Sequence, residues 1–408
     1  MLYRRFQHPF DPYISLCVRA TFKFSTLSTP LVVIDSFFIF ILMKIHTTKE
    51  KILNAVLIAE RIVGKKESLP ILSCVLIDVG REVVVRATNL EASIEIAIPS
   101  EVSEKGIVAV PAAILSQTLR STIGDKVSIR SEEGNLLIES RGAKTLIKAI
   151  PHEEFPSIGE EKKQGGVKVE RDQLLQGMQA VLYAASPSMI RPELGSVYVS
   201  LTSRGLVYVA TDSFRLAEKK VVGSFLGKDD VELLIPLKHT IELTHILEHT
   251  PEESVTLFSD EAHMSVAAAG MRYTSRIIDG TFPNYKEILP KTFTTEVTLL
   301  KNDFLEMLRK ARVFSGNDQH VGLHAYPKKK IFSATARSAD IGEMSESIDA
   351  ALSGEDLDIN FHIGYLADSL QSIVADSITL SFAGVGKPLV IRGVGDQSFT
   401  YLVMPLNR

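Results

Sequence analysis

The stretch Ile278-Asp279-Gly280-Thr281-Phe282-Pro283-Asn284-Tyr285 has an earlier counterpart in Ile150-Pro151-His152-Glu153-Glu154-Phe155-Pro156-Ser157. Each closes a long patterned segment, and Tyr401-Leu402-Val403-Met404-Pro405 closes a third. The spacing gives a unit of roughly 125 residues, far longer than a solenoid repeat.

Working outward, each unit opens with a short β run and an amphipathic helix. Lys44-Ile45-His46 leads into Thr47-Thr48-Lys49-Glu50, which has the form of a capping box. Ile52, Leu53, Val56, Leu57 and Val63 follow at helical spacing. Val167–Val169 precedes a helix expected over Arg171–Ala185, and Val297–Leu299 one over Lys301–Phe314. Second helices are expected at Ala112–Ser121, Leu237–His249 and Ile363–Ala375. Between them lie alternating stretches such as Val83–Ala87, Leu136–Glu139, Ser254–Leu257 and Ser377–Ser381, which read as half-buried strands. The expected fold is α+β, with three similar domains at 43–162, 163–292 and 293–408, each holding two helices and antiparallel sheets. Gly159–Gly166 and Leu289–Thr295 read as linkers.

In the middle unit, Leu206–Val209 reads as a strand leading into Ala210-Thr211-Asp212-Ser213-Phe214-Arg215-Leu216-Ala217. Asp212 and Ser213 mark a turn, because both side chains hydrogen-bond nearby backbone.

The 408 residues carry a net charge of −4 and only two cysteines, Cys17 and Cys74. Neither has metal-type spacing, which fits a reducing compartment and excludes a disulfide framework. A weakly acidic chain binds nucleic acid only if its cations gather on one surface. Residues 1–42 differ from the rest: Met1–Lys23 is basic and aromatic-rich, and Leu31–Leu42 is apolar but interrupted by Asp35. That run is shorter than the roughly 20 residues of a membrane span. Patterning begins at Met43, so 1–42 is expected to lie upstream of the true start; the competing reading is a membrane or export segment.

The helices need apolar cover on one face only. Their other positions carry Lys49, Lys51, Arg61, Lys65 and Lys66 in the first unit, Lys238, His239, His245 and His249 in the second, and Lys301, Arg309, Lys310 and Arg312 in the third. If all six helices face one side, they build a basic surface that holds phosphate without reading sequence. His245 and His249, spaced i, i+4, would suit a metal, with Glu242 and Glu248 near. No set completes a zinc pattern, and no metal is expected.

No Gly-x-Ser-x-Gly elbow or Walker A loop is present. Gly384-Val385-Gly386-Lys387-Pro388 lacks the phosphate-loop spacing and its Ser/Thr. A triad could be assembled only from remote residues. No catalytic activity and no cofactor are expected.

Met43–Arg408 resembles the bacterial DNA polymerase III beta subunit, the sliding clamp. The resemblance rests on Ser68-Leu69-Pro70-Ile71-Leu72, Ala210–Ala217, Asp279–Tyr285, Tyr365-Leu366-Ala367-Asp368-Ser369-Leu370 and Tyr401–Pro405, in that order and spacing. It implies a cytoplasmic, non-catalytic processivity factor. Two subunits would join head to tail in a six-domain ring with helices lining a hole for duplex DNA. It implies DNA contact at Lys65, Lys66 and Arg191, and a subunit contact between Val313 and Phe314 and the partner's Thr145–Ile147 strand. The helical period alone also allows Val313 and Phe314 to be core.

The resemblance further implies a cleft between the second and third domains for linear peptides of polymerases, clamp loader and repair proteins. The matching positions are Leu194, Thr211, Arg215, Leu216, Pro283, Ile288, Tyr365, Leu402, Met404, Pro405 and Leu406. This chain departs from the family's pattern in carrying Phe214 where His is usual and Ser213 where Gly is frequent, and its terminal cation falls one residue late. Rival readings are a peptide-binding adaptor that does not encircle DNA, and a hydrolase with a remote triad.

Overall fold

Residues 43–64, 69–158, 166–223 and 230–406 are described by a computed structural model of the chain. The extension 1–42, Lys65, Lys66, nearly all of the first linker and the terminal Asn407-Arg408 lie outside the described residues.

The first repeat comprises β1 (Lys44–Thr48), α1 (Lys49–Ile62), β2 (Cys74–Val79), β3 (Val83–Thr88), β4 (Ala92–Ile98), β5 (Glu101–Glu104), β6 (Gly106–Pro111), α2 (Ala112–Ser121), β7 (Lys126–Glu132), β8 (Asn135–Ser140) and β9 (Ala143–Ile147). The second comprises β10 (Val167–Glu170), α3 (Arg171–Gln179), β11 (Ser196–Thr202), β12 (Gly205–Thr211), β13 (Arg215–Val222), β14 (Val231–Pro236), α4 (Leu237–Glu248), β15 (Ser254–Ser259), β16 (His263–Ala268) and β17 (Met271–Arg276). The third comprises β18 (Thr295–Leu300), α5 (Lys301–Phe314), β19 (His320–Tyr326), β20 (Ile331–Ser338), β21 (Gly342–Ile348), β22 (Ala350–Gly354), β23 (Leu357–His362), α6 (Ile363–Leu370), β24 (Ser377–Phe382), β25 (Leu389–Gly393) and β26 (Phe399–Val403).

The expected α+β repeat is present, and its sheets share one plan. In the first repeat β1-β7-β8-β9 form one sheet and β6-β2-β3-β4 the other. The orders β10-β15-β16-β17 and β14-β11-β12-β13 repeat this, as do β18-β24-β25-β26 and β23-β19-β20-β21. Within the chain the repeats join by antiparallel pairing of matching strands. β17 pairs with β4, setting Tyr273 opposite Ile94, and β26 pairs with β13, setting Leu402 opposite Leu216. Among the described residues, two strands in the equivalent positions, β9 and β21, end their sheets with one edge unpaired.

The cation that opens each first helix has a structural task. Lys49 Nζ donates to the carbonyls of Thr122 (2.6 Å) and Arg120 (3.1 Å) at the end of α2. Arg171 Nη1 donates to Thr250 O (2.6 Å), just past α4. Lys301 Nζ donates to Ile373 O (2.7 Å), just past α6. A helix C-terminus leaves carbonyls unpaired and carries partial negative charge, so a cation there is doubly favoured. Lys49 and Lys301 are therefore corrected from free surface cations to helix clasps.

Three further expectations shift. Thr48 is the N-cap of α1 but makes no side-chain cap bond; Thr47 Oγ1 instead donates to Pro99 O at 3.2 Å. The helices expected to reach Ala185 and Ala375 stop at Gln179 and Leu370. Both ends meet there, with Ser372 Oγ donating to Ala180 O at 2.9 Å. This tertiary hydrogen bond joins the two ends, and Leu182–Ala184 continues as a single 3-10 turn. Leu289 and Phe293, placed in a linker, pack on an apolar cluster at the second junction. Gly384–Pro388 joins β24 to β25 and precedes no helix.

Candidate functional site

At the second junction, the turn from β12 to β13 is held by its own side chains. Asp212 Oδ1 accepts the backbone N–H of Phe214 and of Arg215, each at 2.9 Å. Thr211 Oγ1 donates to Arg215 O at 2.7 Å and accepts from Ser213 N–H at 3.2 Å. Ser213 has φ +79°, the left-handed region that glycine adopts without strain. The turn thereby projects Phe214, which is 61% exposed. Phe214 O accepts Met404 N–H at 2.8 Å, pinning the chain's last segment to the turn. Leu406 N–H then donates to Asn360 O at 2.9 Å on β23.

Arg215 ties this turn to α6. Its Nε lies 2.9 Å from Asp212 Oδ2 and its Nη1 2.7 Å from Asp368 Oδ2. The guanidinium stands 4.3 Å from the Tyr365 ring centroid and 5.9 Å from that of Tyr183. Planar stacking and two carboxylates suit arginine and would not suit lysine. Burial raises the Tyr183 pKa, so its hydroxyl stays protonated. His362 caps α6, its Nδ1 accepting Tyr365 N–H at 3.3 Å. Burial, and then the Arg215 charge, lower the His362 pKa; the neutral ring is the form that can accept.

Beneath lies an apolar floor. Leu216, Leu402, Val209, Val390 and Tyr285 form a cluster separate from the main core, with Phe282 and Met404 against it. Tyr285 OH donates to the buried Glu218 Oε1 at 2.8 Å, which fixes the ring over the floor. Phe282 stacks on Tyr198 with centroids 5.1 Å apart.

The expected cleft residues divide accordingly. Pro283, Ile288, Tyr365, Met404, Pro405 and Leu406 are half-buried or exposed and form a rim. Leu216 (2% exposed), Leu402 and Thr211 lie buried beneath that rim, Leu216 and Leu402 within the cluster and Thr211 with its hydroxyl used up in the turn. Leu194 is also buried, ahead of β11, with its carbonyl accepting Ser186 N–H at 2.8 Å. Asp368 and Tyr183 are not among the expected cleft residues, and Asp212 was expected only as a turn former. Asp368 stood in a stretch singled out by sequence, but its partner lies 153 positions away and no local period links them.

Models of the N-terminal, central and C-terminal domains of the DNA polymerase III beta subunit match residues 43–159, 168–284 and 286–407. The chain belongs to the DNA polymerase III beta subunit family. The Bacillus subtilis beta sliding clamp is 27% identical over 378 residues, covering 90% of this chain and 100% of that one. The Streptococcus pneumoniae beta sliding clamp is 26% identical over 371 residues, covering 88% and 98%. The crystal structure of the beta subunit from Thermotoga maritima superposes with a TM-score of 0.85 at 25% identity, covering 90% and 100%. The chain is thus a sliding clamp, a processivity factor of DNA replication.

Other positions expected from the clamp resemblance are distributed as follows. Arg191 is exposed beside Ile190, its Nε 3.1 Å from Glu193 Oε1. Lys65 and Lys66 fall outside the described residues. Val313 is 60% exposed at the end of α5, whereas Phe314 is half-buried against the core. On β9, Thr145 is exposed, but Ile147 is only 4% exposed and packs in its own core. Its side chain is corrected to core; Leu146, 49% exposed, is the outward apolar residue there. On the helix faces, Arg309 pairs with Glu306, and Lys310 with Glu346 at 2.7 Å. His239 is also corrected: it is buried, its Nε2 3.7 Å from Glu91 Oε2 across the first junction. Lys51, Arg61, Lys238 and Arg312 remain exposed.

Proposed function

We propose that two copies of this chain close head to tail into a ring that encircles duplex DNA and tethers polymerase through the cleft around Arg215. The unpaired edges of β9 and β21 carry this reading. Both internal junctions pair strands in those same two positions of successive repeats, so a third junction of the same type needs β9 of one copy against β21 of the other. An open edge is a template for another strand, and a head-to-tail contact closes when its rotation suits. Lys144 on β9 and Glu343 on β21 give the edges opposite charge, with Lys144 also 2.9 Å from Glu139 on β8. Thr145, Leu146 and the backbone of Ile147 meet the partner's β21, with Val313 and Phe314 beside them.

The ring works without lowering a chemical barrier: it keeps polymerase at high effective concentration near the primer end. Lys51, Arg61, Lys238, Arg312 and Arg191, with Lys65 and Lys66, supply sequence-blind phosphate contacts. At the cleft, Phe214, Ile288, Met404, Pro405 and Leu406 offer apolar anchorage, and Arg215 and Tyr365 orient the peptide. The clamp works in the cytoplasm, on partners that include the polymerase catalytic subunit, the clamp loader and repair proteins.

The test is the solution mass of the full chain by sedimentation, alone and as Val313→Glu and Leu146→Glu. Both side chains are exposed in one copy, so neither change harms the isolated fold. A dimer that falls to monomer in both variants supports the ring; a dimer unchanged in both rejects this interface.

A further inference from the structure

We propose that His245, Glu248 and His249 form a site for a divalent transition-metal ion, with Zn2+ as the fitting cation. The three residues follow at i, i+3 and i+4, with His245 and Glu248 on the last turn of α4 and His249 as the residue that caps it. One ligand atom from each can be chosen so that all lie within 4.8 Å of one another. Zinc holds nitrogen and oxygen ligands at about 2.0–2.2 Å, so closure needs only small rotations of side chains that are half-buried or exposed. His245 Nδ1 already lies 3.4 Å from Glu248 Oε2, and the two imidazoles meet edge to face with centroids 4.3 Å apart.

The surroundings prepare these groups as ligands. His249 Nδ1 lies 2.9 Å from the carbonyl of His245, which fixes the proton on Nδ1 and leaves the lone pair on Nε2. Gln179 Nε2 on α3 donates to Glu248 Oε1 at 2.7 Å, holding the carboxylate while leaving Oε2 available. Metal-binding residues characteristically have such outer partners, which orient them. Arg61 of α1 lines the same cavity as His245 and His249. Arg61 also opposes a cation, which sets the affinity below that of a closed structural zinc site. Two imidazoles select zinc, cobalt or nickel over magnesium and calcium, which prefer oxygen. Three protein ligands leave a position for water. His245 and His249 border a cavity of about 930 Å³ between α1 and α4, which gives that water a path to solvent.

The experiment uses the full chain without a histidine tag, stripped with chelator and titrated with Zn2+ by calorimetry. We expect one Zn2+ per chain, lost by at least tenfold in affinity in His249→Gln and abolished in His245→Ala/His249→Ala. Gln179→Ala should weaken binding several-fold with the stoichiometry kept, because it acts through Glu248. Co2+ should give visible absorption bands that the double variant lacks. Equal Zn2+ affinity in wild type and His249→Gln, or displacement of Zn2+ by equimolar Mg2+, would overturn the proposal. Since His249 is exposed, His249→Gln keeps the fold and decides the question even if the double variant does not.

Discussion

Arg215 and Asp368 are 153 positions apart in sequence and 2.7 Å apart in space. Their contact binds the β12–β13 turn to α6, while Asp212 holds the other side of the guanidinium. Arg215→Ala strips both carboxylates and opens the stack on Tyr365, so it should lower stability by about 1–3 kcal/mol. Asp368 is 44% exposed, so solvent screens its share, and Asp368→Asn should cost under about 1 kcal/mol. Urea unfolding of the two variants checks the order; a larger loss for Asp368→Asn contradicts it.

Phe214 lies exposed on a turn that uses a left-handed serine. Ser213→Gly should leave the turn intact and match or exceed wild-type stability. Ser213→Val, branched at Cβ, should cost about 1–2 kcal/mol. Phe214→Ala should weaken an apolar partner peptide by about 1–3 kcal/mol if the rim is the anchor. Calorimetry with a polymerase-derived peptide reads this directly, and unchanged affinity would remove Phe214 from the contact.

The basic residues of the helices separate into two kinds. Lys301→Ala frees a carbonyl at the end of α6 and should lower stability by about 0.5–1.5 kcal/mol. Arg61→Ala and Lys238→Ala should leave stability within about 0.5 kcal/mol and reduce the salt dependence of DNA retention by roughly one ion each. If Lys301→Ala instead shifts the salt slope and not the melting curve, its assignment as a helix clasp fails.

The first junction has an opposed pair of titrations. Burial raises the Glu242 pKa to about 7, against the partial relief from Lys238 and the Tyr273 hydroxyl. The folded state then keeps a proton that the unfolded state has lost, so this group's contribution falls as pH rises from about 4.3 to 7. His239 is the reverse. Burial and Lys238 lower its pKa, so stability falls as pH drops through and below about 6.5. In wild type the two slopes oppose each other. Glu242→Gln should be at least as stable as wild type at pH 8, and should lose stability on acidification more steeply. Thermal unfolding between pH 5 and 8 checks this; parallel curves would contradict it.

Much of this was legible because the repeat enforces consistency. Helical spacing placed Ala112–Ser121 and Lys301–Phe314 at their observed limits. Period-two stretches such as Ser254–Leu257 became strands because one face meets the core. What stayed hidden was tertiary. The helices stop at Gln179 and Leu370, where two distant segments meet through Ser372 and Ala180. The burial of Leu216 depends on Tyr285, brought over it by the Phe282–Ile288 segment. Lys49 and Lys301 look like solvent-facing cations in any helical projection, and only the neighbouring helix end reveals their use. In β9, one residue of register decides that Leu146 faces out and Ile147 in.

Encirclement is tested most directly by loading the protein on nicked circular DNA, washing at high salt, and then cutting the circle. The ring predicts retention on the closed circle and loss once a free end exists. Equal retention before and after cutting would show attachment by contact alone and contradict the clamp.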